Sequence, residues 1–132
     1  MGDISEVNPY CTPVKNLLLF DKKREFYYLV LEPANVKLDF KKLAEQMNTS
    51  RSSLGFASDE QLASLLDTET GFVSPLILKS DLELKVLVNP DLLSELQLGF
   101  HAGSNTETAV INSWDLGLFL GKIGYYPILL KI

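Results

Sequence analysis

Apolar positions along this 132-residue chain alternate between the spacing of strands and the spacing of helices. Leu17-Leu18-Leu19-Phe20 and Phe26-Tyr27-Tyr28-Leu29-Val30-Leu31 are short runs rich in strand formers, and the charged stretch Asp21–Glu25 between them predicts a β-hairpin. Phe40, Leu43, Ala44 and Met47 then recur at i, i+3, i+4 and i+7 behind Asp39, a helix with its N-cap, ending near Asn48. A short strand is expected at Leu54-Gly55-Phe56-Ala57. Ser58-Asp59-Glu60-Gln61 reads as a capping box opening a second helix that turns Leu62, Leu65 and Leu66 to the core.

The second half repeats the theme. Leu76-Ile77-Leu78 reads as a strand, and Leu82, Leu84, Val86 and Val88 alternate with Glu83, Lys85 and Leu87 as a strand with one face mostly buried. Asn89-Pro90 supplies an N-cap and first position for a short helix over Asp91–Ser94. Leu96–Phe100 leads to His101, a small polar segment follows, and Ala109-Val110-Ile111 returns as a strand. Ser113 is expected to cap a last helix with Trp114, Leu118, Phe119 and Ile123 facing the core, ended by Gly124. Tyr125–Leu130 closes the chain as a strand whose Pro127 favours a sheet edge. Residues 1 to 14, with Asn8-Pro9 and Thr12-Pro13, read as an extended leader, and order begins at Lys15.

Composition narrows the picture without giving a function. Hydrophobic residues at 46% and charged residues at 22% fit one α/β globular domain rather than a disordered, collagen-like or coiled-coil chain. The N-terminus has neither a basic nor an apolar signal region, and no apolar run is long enough to cross a bilayer, so a cytoplasmic protein without membrane contact is expected. Cys11 is the single cysteine and His101 the single histidine, which leaves no disulfide framework and no cluster with metal-ligand spacing; no metal and no cofactor are expected. A net charge of −5 argues against indiscriminate nucleic-acid binding. The charge is uneven, however: residues 1–51 carry +1 and residues 52–132 carry −6. The positive groups of the first part, Lys22, Lys23, Arg24, Lys41, Lys42 and Arg51 among them, are either a solvated surface or a local basic face. Phe26, Tyr27 and Tyr28 read as strand residues rather than as a base-stacking platform.

Three patches carry the candidate chemistry. Gly71-Phe72-Val73-Ser74-Pro75 places Gly and Pro around small residues, a rigid turn whose backbone N–H groups can approach a ligand closely; it also reads as an ordinary turn. Upstream stand Lys15 and Asn16. Downstream stand Gly99-Phe100-His101 with Asn105, Thr106 and Thr108.

In this order the three patches resemble the YbaK and prolyl-tRNA-synthetase-associated editing family of aminoacyl-tRNA deacylases, over about Lys15 to the C-terminus. The resemblance implies a mixed α+β fold, a single YbaK-like domain at 15–132 with a curved mixed sheet and flanking helices. It implies hydrolysis of the ester that joins a wrong amino acid to tRNA. The Lys-Asn pair is similar to the branch that clears alanine from proline tRNA, so the implied substrate is Ala-tRNA(Pro), with tRNA and prolyl-tRNA synthetase as partners. By the same resemblance Lys15, Gly71 and His101 are catalytic. Asn16, Phe72, Val73, Ser74, Pro75, Asn105 and Thr106 would bind substrate. Lys15 would meet the terminal adenosine, Gly71–Pro75 would hold the small side chain, and His101 would position the ribose or a water.

The chemistry asked for is modest: an attacking water, stabilisation of an oxyanion and a snug pocket, with no Ser-His-Asp triad. Cys11 lies in the leader and offers no Cys-His dyad. Two departures from the family pattern stand out. Ala102 follows the histidine where Pro is common, and the leader is shorter than the helix and strand that often precede the Lys-Asn patch. One wall of the pocket, or part of the tRNA-docking surface, is then expected to be either missing or supplied by a second chain. The rival reading is a non-catalytic tRNA- or synthetase-binding module on the same fold.

Overall fold

The hairpin that the charge pattern announces is the centre of the molecule. In the computed structural model, which describes residues 11–68, 73–75, 78–80, 82–101 and 108–131, β1 (Thr12–Asp21) and β2 (Phe26–Pro33) pair antiparallel from Val14↔Pro33 to Asp21↔Phe26. The turn is held by Asp21, whose Oδ1 accepts from the backbone N–H groups of Lys23 (3.0 Å) and Arg24 (3.2 Å), while Glu25 adopts φ 50. Strand β1 starts at Thr12, ahead of the expected Lys15, because Thr12 and Pro13 run parallel to Leu98 and Gly99 of β5 (Gln97–His101).

Around this hairpin the described residues form seven strands of one sheet, in the order β6 (Thr108–Asn112), β5, β1, β2, β4 (Leu84–Val88) and β7 (Ile128–Leu129), with β3 (Leu54–Phe56) also pairing β1. Strand β4 runs parallel to β2, β6 antiparallel to β5, and β7 parallel to β4 at the edge, directly after Pro127. The result is a mixed α+β domain on a curled, half-barrel sheet, as the family resemblance implies.

Two clusters cover the two faces. Val14, Leu18, Leu29, Leu31 and Phe100 share one with Leu62 and Leu66 of helix α2 (Asp59–Leu66) and Leu116 and Leu120 of α3 (Ser113–Lys122). Leu19, Tyr28, Val30 and Leu87 share the other with Leu43 and Ala44 of α1 (Phe40–Gln46). The caps at Asp39 and the Ser58–Gln61 capping box form as the sequence dictates.

Several expectations are corrected. Leu87 is fully buried, since β4 lies between β2 and β7 with a cluster on each face, so this strand has no solvent face at its end. Asn112, not Ser113, caps α3, its Oδ1 accepting from Asp115 N–H at 2.7 Å. Trp114 and Leu118 are 76% and 52% exposed, because the helix turns Leu116 and Leu120 inward. The short helix expected after Asn89 is present as a 3-10 helix over Pro90–Ser94, with Asn89 as its N-cap. Leu78 carries no strand; Leu76 and Ile77 lie outside the described residues.

Candidate functional site

Strand β1 presents the Lys-Asn pair from the middle of the sheet, and the alternation of side chains along a strand sends the two residues to opposite faces. Asn16 falls between Val14 and Leu18 on the face they share with Phe100 and α2. Its Oδ1 is buried and has no hydrogen-bond partner among the described residues. Val73 packs against that same cluster, and Ser74 and Pro75 beside it are buried. The Pro75 carbonyl accepts from Leu78 N–H at 3.3 Å, which closes the turn on its far side. The fold thus brings Asn16 and the Val73-Ser74-Pro75 turn to one face.

Lys15 is half-buried on the other face, directly opposite Glu32 of β2. Glu32 is 2% exposed, and burial pushes its carboxyl above the ordinary carboxylate range, while the Lys15 charge and a hydrogen bond from the Asn89 side chain pull the other way. Glu32 does not stand out in the sequence and Asn89 stands out only as an N-cap, because each sits at a strand end beside a Pro, where polar residues are ordinarily solvated.

His101 is the last residue of β5, opposite Thr108 of β6. Its side chain, together with Gly71, Phe72, Asn105 and Thr106, lies outside the described residues. Cys11 is buried, and burial raises its thiol pKa, which disfavours the thiolate that nucleophilic chemistry requires. Among the described residues no three His, Cys, Asp or Glu side chains gather as a metal site, and no helix is long and apolar enough to cross a membrane.

A basic surface assembles at the hairpin end. The Arg24 guanidinium donates to the Asn48 carbonyl at the end of α1, and Lys22 N–H donates to the Ser53 carbonyl at 3.0 Å, so Lys22, Lys23 and Arg24 are held beside Arg51. The Arg51 guanidinium lies 4.5 Å from the centre of the Phe40 ring, and Phe40 meets Phe56 edge to face at 5.6 Å. Phe56 is 64% exposed. Sequence reading lists the charges but misses this aromatic-cation surface, since Phe40 belongs to a helix face and Phe56 to a short strand, and only the sheet edge joins them.

The Lys-Asn pair thus lies on the central strand of a curled mixed sheet, the Val73–Pro75 turn packs on one face, and His101 ends β5. The chain belongs to the aminoacyl-tRNA editing domain family, whose sequence model matches residues 5–118. Among its relatives, the prolyl-tRNA editing protein ProX of Acetoanaerobium sticklandii is 32% identical over 105 residues, which are 78% of this chain and 63% of that protein. The Bos taurus prolyl-tRNA synthetase associated domain-containing protein 1 is 29% identical over 120 residues, 89% of this chain and 70% of that protein. A solved structure described as a candidate trans-editing enzyme for prolyl-tRNA synthetase superposes with a TM-score of 0.70 at 22% identity, over 91% of this chain and 70% of the other. At that identity the likeness speaks for the fold alone. The chain spans less than two thirds of ProX.

Proposed function

We propose that this chain is a trans-editing aminoacyl-tRNA deacylase that hydrolyses the ester of mischarged tRNA, Ala-tRNA(Pro) in particular. The observation that carries the reading is the buried Oδ1 of Asn16, without a hydrogen-bond partner among the described residues, on the face shared with the Ser74-Pro75 turn. A buried acceptor without a donor is costly, by about 1–3 kcal/mol, and a site that binds a donor-bearing ligand recovers that cost on binding. The aminoacyl ester supplies such donors in its α-ammonium group and the free ribose hydroxyl. The buried turn beside it limits the side chain to a small one, since a larger group meets backbone and Pro75 ring that are already packed.

In the reaction a water adds to the ester carbonyl carbon and the carbon–oxygen bond to the ribose breaks. The ribose oxygen takes a proton, releasing alanine and free tRNA. Gly71–Pro75 presents backbone N–H groups to the developing oxyanion, and His101 orients the ribose or the water. Lys15 supplies positive charge to the terminal adenosine. Lys22, Lys23, Arg24 and Arg51 receive the phosphates of the acceptor stem, where the basic residues of an otherwise acidic chain converge. Membership of the aminoacyl-tRNA editing domain family and the likeness to the prolyl-tRNA editing protein ProX support this reading.

The test is release of label from alanyl-, cysteinyl- and prolyl-tRNA(Pro) by wild type and Lys15→Ala. Selective release of alanine, reduced about a hundredfold in Lys15→Ala, is the expected result. A folded wild type that releases none of the three overturns the deacylase reading and leaves a binding module.

A further inference from the structure

We propose a second ligand site, on the face of the sheet opposite Asn16, built for a small amine that also carries an anionic group, the chemistry of an amino acid. It is independent of the editing reading. Glu32 and Asn89 line one side of a cavity of about 220 Å³. Glu32 is 98% shielded from solvent, yet its Oε2 has no hydrogen-bond partner among the described residues. Asn89 is committed: its Oδ1 accepts from Asp91 N–H at 2.8 Å while its side chain bonds Glu32. Lys15, across the strand pair, already faces Glu32 and favours its charged form, but it does not bond Oε2. The pair therefore offers a fixed carboxylate with one free oxygen, which calls for a further donor.

The walls and mouth specify the rest of the ligand. Leu38, Leu43 and Leu130, all members of the buried cluster on this face, give the cavity an apolar wall. Lys37, Lys42 and Lys131 stand at its exposed rim with Asp39 and Asp91. Asp39 is occupied as the cap of α1, its Oδ1 accepting from Lys42 N–H at 3.1 Å. An amine against Glu32 would place an attached carboxylate towards the three rim lysines. The volume is below the roughly 300–1,000 Å³ of pockets for drug-sized molecules, which suits a ligand of amino-acid size rather than a nucleotide. The wall is preformed: Gln46 of α1 donates to the Leu129 carbonyl at 2.8 Å and accepts from Lys131 N–H at 2.9 Å, pinning the closing strand to the helix.

The isotope-labelled 132-residue chain would be titrated with L-valine, with isobutylamine, which lacks the carboxylate, and with isovalerate, which lacks the amine. The expected result is a saturable shift of the Glu32 side-chain carboxyl and of the Asn89 and Lys131 amides with L-valine, weaker with isobutylamine and absent with isovalerate. Glu32→Gln should weaken binding at least about tenfold. Lys42→Gln, at an exposed position that leaves the fold untouched, should weaken L-valine but not isobutylamine. Absence of a saturable shift overturns the proposal. So does equal binding by isovalerate, undiminished binding by Glu32→Gln, or a response confined to Asn16 and Ser74.

Discussion

Breaking the Asp21–Tyr28 contact one partner at a time and then both together tests whether a buried polar pair holds the hairpin. Asp21 is fully buried and Tyr28 is 2% exposed, with the phenol donating to Asp21 Oδ2 at 3.2 Å. Burial, reinforced by the Asp21 charge and this hydrogen bond, pushes the Tyr28 phenol up to about 12 from 10.0. A hydrogen bond to a charged group contributes about 1.5–3 kcal/mol. The rise from 10.0 to about 12 corresponds to about 2.7 kcal/mol, an upper value because it includes burial as well as the contact. Tyr28→Phe should therefore cost about 2 kcal/mol. Asp21→Ala should cost about 3 kcal/mol, because the phenol cannot reach water while the Lys23 and Arg24 N–H groups in the exposed turn can.

The double variant leaves neither group stranded. Its loss should fall short of the sum by about 1–2 kcal/mol, the coupling expected of groups in contact. Urea unfolding at pH 7 of the four proteins measures this. Coupling within about 0.5 kcal/mol of zero, the additivity of unconnected sites, would refute the reasoning. Stability of wild type relative to Tyr28→Phe should be fully present below pH 10 and decline as pH rises through about 12, since the unfolded tyrosine ionises first.

Three further outcomes follow from the same structure. Arg51→Ala should weaken binding of tRNA(Pro) uniformly across mischarged forms and reduce the salt slope of binding by about 1, read by titrating labelled tRNA at several ionic strengths. Glu32→Gln should change the pH profile of stability. With its pKa raised by burial above 4.5, the wild type loses stability relative to the variant as pH rises above that value and levels off once the folded carboxyl has ionised, despite the opposing pull of Lys15 and Asn89. Trp114→Ser should alter the free energy of urea unfolding by no more than about 0.5 kcal/mol, since the indole is exposed, and a larger loss would mean that the face of α3 is buried in solution.

What the sequence makes legible is local. The hairpin follows from charged residues between two apolar runs, the second rich in aromatics, and Asp39, Ser58 and Asn89 announce their caps because each solves a donor problem within three residues. The phase of α3 is hidden by apolar residues on every side, with Gly117 and Gly121 giving no contrast, so Trp114 and Leu118 are as plausible inward as Leu116 and Leu120. Parallel pairings such as β1 with β5 and β2 with β4 leave no signature in spacing, since they join residues dozens of positions apart. Burial of Glu32 depends on those pairings, which is why the motif residue Lys15 is visible in the sequence and its partner is not.

The two faces of β1 also bear on how a Lys-Asn pair can serve one reaction. Adjacent strand residues cannot both line a pocket on one face, so in the proposed enzyme Asn16 meets the aminoacyl group beneath the Val73–Pro75 turn while Lys15 acts from the far side. A lysine can do this because its long stem reaches round an incompletely covered strand to a phosphate, whereas an asparagine cannot. The division predicts different failures. Asn16→Ala should relax discrimination between alanyl- and larger aminoacyl-tRNA or lower the rate with bound substrate, as loss of a contact to the acyl end does. Lys15→Met, which keeps the stem and loses the charge, should instead raise KM for tRNA and flatten the salt dependence of kcat/KM. Identical kinetic profiles for the two variants would place both side chains in one pocket and overturn the division.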